Sequence, residues 1–237
     1  TIGFNRVVVA AHGVESLKLL CKSNLPDETP AELLGHHYQD HAIAELACVL
    51  PGVEIPFFQV NTAAQIVIPE LSGELDGIEY TTLGLMTPNE RVLAAALDLD
   101  KVNEWRLEEA IRELGSTLNL FVLLEIPPEW DVSMSFRDGM IAMNTDGYHQ
   151  NKIHYNQIIS DIYTKLEKLG AKPLRSVERK HYMHAFGTHH LVGMLGMHNG
   201  PRAVVDPDFK LKGTDNVFVA GAALFPRCGS RNPTVTV

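Results

Sequence analysis

HAFGTHHLVGMLGMHNG, residues 184–200, places four histidines within fifteen positions, and AVVDPDFKLKGTDNVFVAGAALFPRCGSRNPTVTV, residues 203–237, follows almost at once. Histidine ligates metals, moves protons near neutral pH and also packs quietly in cores. Three readings of His184, His189, His190 and His198 therefore compete. A zinc or iron site would use an i, i+4 pair on a helix. Gly187, Gly193 and Gly196 argue against a helix, and the stretch contains no carboxylate or cysteine. A plain polar loop would leave the histidines partly exposed. A catalytic loop would use glycine to bring backbone close to a ligand, and a neutral imidazole to accept a proton.

Bulk properties narrow the function classes. The chain has 237 residues, enough for one large domain or two small ones with a sizeable core. A net charge of −9 argues against a nucleic-acid partner. Apolar runs such as LNLFVLLEI, residues 118–126, are too short to span a bilayer. Cys21, Cys48 and Cys228 are few and scattered, so no disulfide framework is expected and a reducing, cytoplasmic setting is the simpler expectation. The first residues lack an initiator Met and the last lack a polar tail, so an internal piece of a longer protein is expected.

Along the chain, RVVVAA (residues 6–11) reads as a buried strand, and VESLKLLCKS (14–23) as a helix with Val14, Leu17 and Leu20 on one face. LGHHYQDHA (34–42) reads as a polar loop, with Asp40-His41 as a loop pair or helix cap. Residues 53–70 and 77–86 read as strands, and residues 87–100 and 102–115 as helices. Residues 118–126 and 133–144 read as strands, the latter turning at Asp138-Gly139. Residues 154–171 form the clearest helix, striped by Ile158, Ile162, Leu166 and Leu169 and stopped by Gly170. NVFVAGAAL (216–224) reads as a last buried strand. A βα unit, a mostly antiparallel region with helices and a returning strand together make an α+β fold.

The C-terminal order of motifs resembles the glucose–methanol–choline (GMC) family of FAD-dependent oxidoreductases. His190, Gly193 and Met197 hold the spacing of its His-x-x-Gly-Thr-x-x-Met-Gly loop; Val204-Val205-Asp206, Phe218 to Gly221 with Phe225-Pro226, and Asn232-Pro233-Thr234 follow in the family's order. RVVVAAHGVESLKLL resembles its first strand and helix, and GHHYQDH its Gly-Arg-Asn-x-x-Asp-His loop. There are departures: His12 stands where the family has glycine, Met194 where it has threonine, and His198 where it has glycine. His184-Ala-Phe-Gly-Thr188 also fits half of the histidine motif.

The resemblance implies a chain that oxidises an alcohol or sugar CH–OH group by hydride transfer to the N5 atom of FAD. His190 would be the base, with His184 as runner-up, and Asn232 its hydrogen-bonding partner. Ala10, Ala11, Gly221, Ala222, Pro233 and Thr234 would lie against the flavin nucleotide. No metal is implied, and the electron acceptor, oxygen or another, is left open. Residues 1–45 would be a fragment of the FAD-binding domain, 46–183 a substrate-binding domain, and 184–237 a return to the FAD-binding domain with the active-site loops. The family's Gly-x-Gly-x-x-Gly dinucleotide turn is absent. A non-catalytic binding module of the same fold, or a metal-dependent hydrolase built on the histidine loop, are the alternatives. Arg227 and Arg231 would meet an anionic group or solvent.

Overall fold

The computed structural model describes residues 3–52, 65–85, 117–137, 139–173, 183–186 and 190–231. The expected helices at 87–115 and most of the expected strand at 53–70 lie outside them. The chain divides into two compact units. One comprises Thr1–His41, Glu125–Lys152 and Ala185–Val237, the other Ala42–Leu124 and Ile153–His184.

In the first unit, strand β1 (Val7–Val9) pairs parallel with β11 (Val217–Val219), so that Val7 faces Val217 and Val9 faces Val219. Helix α1 (Gly13–Cys21) follows β1 directly and buries Ser16, Leu17 and Leu20. It packs on the short helical turn Ala222–Leu224, which follows β11. Strands β7 (Ser133–Arg137) and β8 (Met140–Asn144) form the expected hairpin. Helix α2 (Asp146–Asn151) buries Tyr148, whose ring lies near both Trp130 and Phe186. The core is closed by Val192, Met194, Leu195, Val204, Val205 and Leu211. Burying each such side chain contributes roughly 1.5–3 kcal/mol.

The second unit is built on a sheet with the order β10 (Met183–Ala185), β2 (His41–Val49), β6 (Thr117–Glu125), β5 (Ile78–Leu85), β3 (Gln65–Val67). Strand β4 (Gly73–Leu75) also pairs with β5, and β9 (Lys172–Pro173) with β2. The resolved pairings β3–β5, β4–β5, β5–β6 and β2–β9 are all antiparallel. Helix α3 (His154–Lys168) buries Tyr155, Ile158, Ile159, Ile162 and Leu166. Leu169 leaves the expected stripe and is 68% exposed, because it already caps the helix ahead of Gly170. Parallel β1–β11 with α1 in the one unit, and an antiparallel sheet with α3 in the other, make the α+β fold expected.

The stretch 34–42 departs from the expected polar loop. Tyr38, Gln39, Asp40, His41 and Ala42 are all buried, and β2 begins at His41. Asp40 is not a helix cap. Its Oδ1 accepts the backbone N–H of His41 at 2.8 Å and of His190 at 3.3 Å.

Candidate active site

His190 is placed by a short backbone ladder. Gln39 and Val192 exchange two N–H···O bonds, each 3.1 Å long. That bridge aligns the start of the Gly193 loop with the buried 38–41 segment. Gly193 takes φ +86°, and a Cβ there would sit 2.0 Å from the carbonyl oxygen of His37. Only glycine permits that approach, so the motif's glycine is what lets the two segments meet.

The meeting brings two histidines together. The Nδ1 atoms of His190 and His41 lie 3.1 Å apart, with the rings nearly perpendicular at 80°. On the far side of the His41 ring, Nε2 is 3.1 Å from the carbonyl oxygen of Gly229 and 3.3 Å from Cys228 Sγ. The Cys228 thiol lies 3.7 Å from the carbonyl oxygen of His190 and donates to it. Burial lowers the His41 pKa to about 4, helped by the neighbouring His190 ring and opposed by Asp40, the Gly229 carbonyl and Glu125. His41 is therefore a neutral imidazole near pH 7. Burial also pushes the Cys228 thiol up to about 12, with Asp40 and Glu125 adding to the shift, so it stays protonated and is no nucleophile.

The 226–229 loop is clamped from two sides. Gln39 accepts the Cys228 N–H at 2.8 Å and donates to the Pro226 carbonyl at 3.1 Å. Glu125, fully buried, accepts the Gly229 N–H at 3.2 Å and two bonds from Arg227. Arg227 thus meets an anion of the protein itself, whereas Arg231 is exposed.

The four small residues expected at the cofactor share one edge. Ala10 and Ala11 follow β1, Gly221 and Ala222 follow β11, and the Ala220 N–H bonds the Val9 carbonyl at 2.9 Å. All four are exposed or half-buried. They lie at the carboxyl ends of parallel strands, where nucleotides bind in sheets of this kind. Gly221 has φ +120° and open space where a Cβ would stand. This low surface suits a flat ring system or a sugar. His12, beside it, holds φ +66° and ψ 158°.

Asn232, Pro233 and Thr234 lie outside the described residues, as does the side chain of His184, whose backbone is in β10. A cavity of about 390 Å³ opens beside the motif loop, lined by His36, His37, Gly193, Met197, His198 and Arg202 among others. Neither His41 nor His190 lines it. Among the described residues, no group of three His, Cys, Asp or Glu could hold a metal, and no helix is long and apolar enough to cross a membrane.

Sequence reasoning did not assign roles to His41, Gln39 or Glu125. The Asp-His pair was a usable signal for the first; nothing local marks the other two.

Comparison with known proteins bears on the family and the fold. Residues 145–237 match the family described as GMC oxidoreductase. No curated protein sequence matches the chain. Among solved structures it is similar to pyridoxine 4-oxidase from Mesorbium loti, with TM-score 0.62 and 17% identity over 98% of this chain and 48% of that one. It is also similar to a formate oxidase, with TM-score 0.57 and 12% identity over 98% of this chain and 52% of that one. An FAD-dependent oxidoreductase from Chaetomium thermophilum gives TM-score 0.53 and 12% identity over 100% and 53%. The chain spans about half the length of these structures. Residues 145–237 thus match the GMC oxidoreductase family model, and the chain as a whole has a fold similar to these solved oxidoreductase structures.

Proposed function

We propose that this chain supplies the catalytic base and part of the cofactor cradle of an FAD-dependent oxidoreductase that oxidises the CH–OH group of a small alcohol or sugar. The observation that carries the reading is the position of His190. It occupies the histidine of the family's motif, and its backbone and ring are both held by buried polar groups. FAD, when bound, would accept the hydride. Ala10, Ala11, Gly221 and Ala222 would hold it on their shared edge, with Pro233 and Thr234 completing the cradle.

His190 would take the hydroxyl proton as hydride leaves the carbon, which prevents positive charge from building there. Asn232 would donate a hydrogen bond to the same oxygen. An amide does so without titrating. The buried surroundings of His41, Asp40 and Cys228 exclude water behind the base and fix its ring.

The test uses the full-length protein. His190→Ala should lower kcat by about 10²–10⁴-fold while the flavin absorption band stays with the protein. Asn232→Ala should lower it by a comparable factor, and His184→Ala should not. Loss of turnover in His184→Ala with a fully active His190→Ala would overturn the assignment of the base. A full-length protein that never retains FAD would overturn the reading as a whole.

A further inference from the structure

We infer that His41 is a positioning residue: through its Nδ1 it holds the ring proton of His190 on Nδ1, so that Nε2 of His190 carries the lone pair that accepts the substrate's proton. This rests on the reading of His190 as the base.

The argument is one of donor and acceptor identity. The Gly229 carbonyl can only accept, and it stands 3.1 Å from His41 Nε2. His41 Nε2 must therefore carry a hydrogen. At neutral pH burial keeps His41 uncharged, so its ring holds one hydrogen only. Its Nδ1 is then a bare lone pair. That lone pair lies 3.1 Å from His190 Nδ1, which must be the donor. A neutral His190 with its hydrogen on Nδ1 has its lone pair on Nε2.

The rest of the cluster agrees with this single arrangement. Cys228 donates its thiol hydrogen to the His190 carbonyl, so its sulfur can also receive part of the His41 Nε2–H. Asp40 Oδ1 accepts the backbone N–H of both histidines. Every donor meets an acceptor. In the opposite arrangement, with hydrogen on His41 Nδ1 and His190 Nε2, the half-buried Gly229 oxygen would face a lone pair at 3.1 Å. His190 would then present a hydrogen, not a base, at Nε2. Free imidazole side chains prefer Nε2–H, so the preference needs a protein device, and the Gly229 carbonyl acting through His41 supplies one.

During turnover the substrate O–H bond breaks and an N–H bond forms at His190 Nε2. FAD, when bound, would supply the hydride acceptor of the proposed reaction. His190 becomes an imidazolium whose Nδ1–H remains bonded to His41, now as a charge-assisted and stronger bond. His41 itself neither gains nor loses a proton.

Neutron diffraction from the full-length FAD-bound protein near pH 7 would place the deuterons. Deuterium on His190 Nδ1 and His41 Nε2 is expected; deuterium on His190 Nε2 alone would overturn the inference, whatever the activity shows. Two variants give a kinetic readout. His41→Gln keeps a donor that reaches the Gly229 carbonyl but removes the acceptor at Nδ1. It should lower kcat on the order of tenfold or more with KM little changed. His41→Asn keeps an oxygen near the Nδ1 position and should recover most of that loss. Equal kcat in wild type and His41→Gln would overturn the inference. If His190→Ala keeps full activity, the base assignment fails, while the deuteron positions still report on the network by itself.

Discussion

Arg227 grips the carboxylate of Glu125 through two hydrogen bonds, Nε to Oε1 at 2.5 Å and Nη2 to Oε2 at 2.7 Å, between residues 102 apart in sequence. The Arg227 side chain is about half exposed and the Glu125 side chain is fully buried. The pair is asymmetric in what it would cost to break. Removing the arginine takes a charge-assisted, two-pronged partner from a buried carboxylate that also accepts the Gly229 N–H, whereas removing the acid returns the half-exposed arginine largely to water. Arg227→Ala should therefore destabilise the full-length protein by about 3–5 kcal/mol, measured as the shift in urea midpoint at constant slope. Arg227→Lys should recover little, because an ammonium cannot make the two-pronged contact. Glu125→Gln should cost less than Arg227→Ala. The reverse order would mean that the ion pair is not what holds the 226–229 loop.

Gly193 offers a sharper steric test. A Cβ at this position would press to 2.0 Å on the His37 carbonyl oxygen, and the backbone is already at φ +86°. Gly193→Ala should cost at least about 2 kcal/mol, from left-handed strain plus backbone displacement. It should also lower turnover, since the displaced loop carries His190 away from His41. A variant of unchanged stability and rate would show that the 37–41 segment yields easily.

Much of this was legible in the sequence and some was not, for identifiable reasons. β1, α1, β7–β8 and α3 follow from short apolar runs, helical spacing and turn residues, each of them local. The strand beginning at His41 does not. HAIAELACV is rich in alanine, with one β-branched residue before its last position, and its strand state comes from pairing with β6 and β10. Likewise His190 is readable from motif spacing, but Glu125 reads only as the charged end of an apolar run. Its role exists only because Arg227 and Gly229 reach it in the fold. Polarity misled at Gln39, Asp40 and His41: each is buried with polar atoms bonded to backbone distant in sequence, Gln39 to Pro226, Asp40 to His190 and His41 to Gly229.

His12 carries visible backbone strain. Its φ of +66° with ψ of 158° falls in a region that is essentially glycine's own, and its side chain is exposed and makes no cap bond. Such a conformation costs roughly 1–3 kcal/mol for other residues. His12→Gly should raise stability by about 1 kcal/mol after the added chain entropy of glycine is deducted, and a melting temperature up by a few degrees would show it. His12→Val should lower it. No difference between the three would mean that the loop after β1 relaxes freely.

The cysteines should separate by burial. Cys21 is exposed, whereas Cys48 and Cys228 are buried and their thiols are pushed up to about 11 and about 12. Iodoacetamide at neutral pH should label Cys21 in the folded protein, with Cys48 and Cys228 labelled only on unfolding, as read by peptide mass spectrometry. Early labelling of Cys228 would show that the pocket behind His190 is open to solvent.

His41 links the site to acid stability. Its pKa falls from the ordinary 6.5 when unfolded to about 4 when folded, chiefly through burial. Below about pH 6.5 the unfolded chain takes up a proton that the folded chain refuses until about pH 4. The unfolded state then binds more protons, so stability must fall as pH drops through that window and level off beneath it. At about 1.4 kcal/mol per unit, the loss attributable to His41 is about 3 kcal/mol. Urea unfolding of wild type and His41→Asn at steps from pH 7 to pH 4 isolates it, because the variant carries no titrating group there. The two curves should converge as pH falls, with wild type losing its advantage steadily from about pH 6.5 to about pH 4. Parallel curves would mean that the folded His41 takes up its proton as readily as a free imidazole. In that case protonated Nδ1 would meet the Nδ1–H of His190, and the hydrogen-bonded pair described here could not persist in acid.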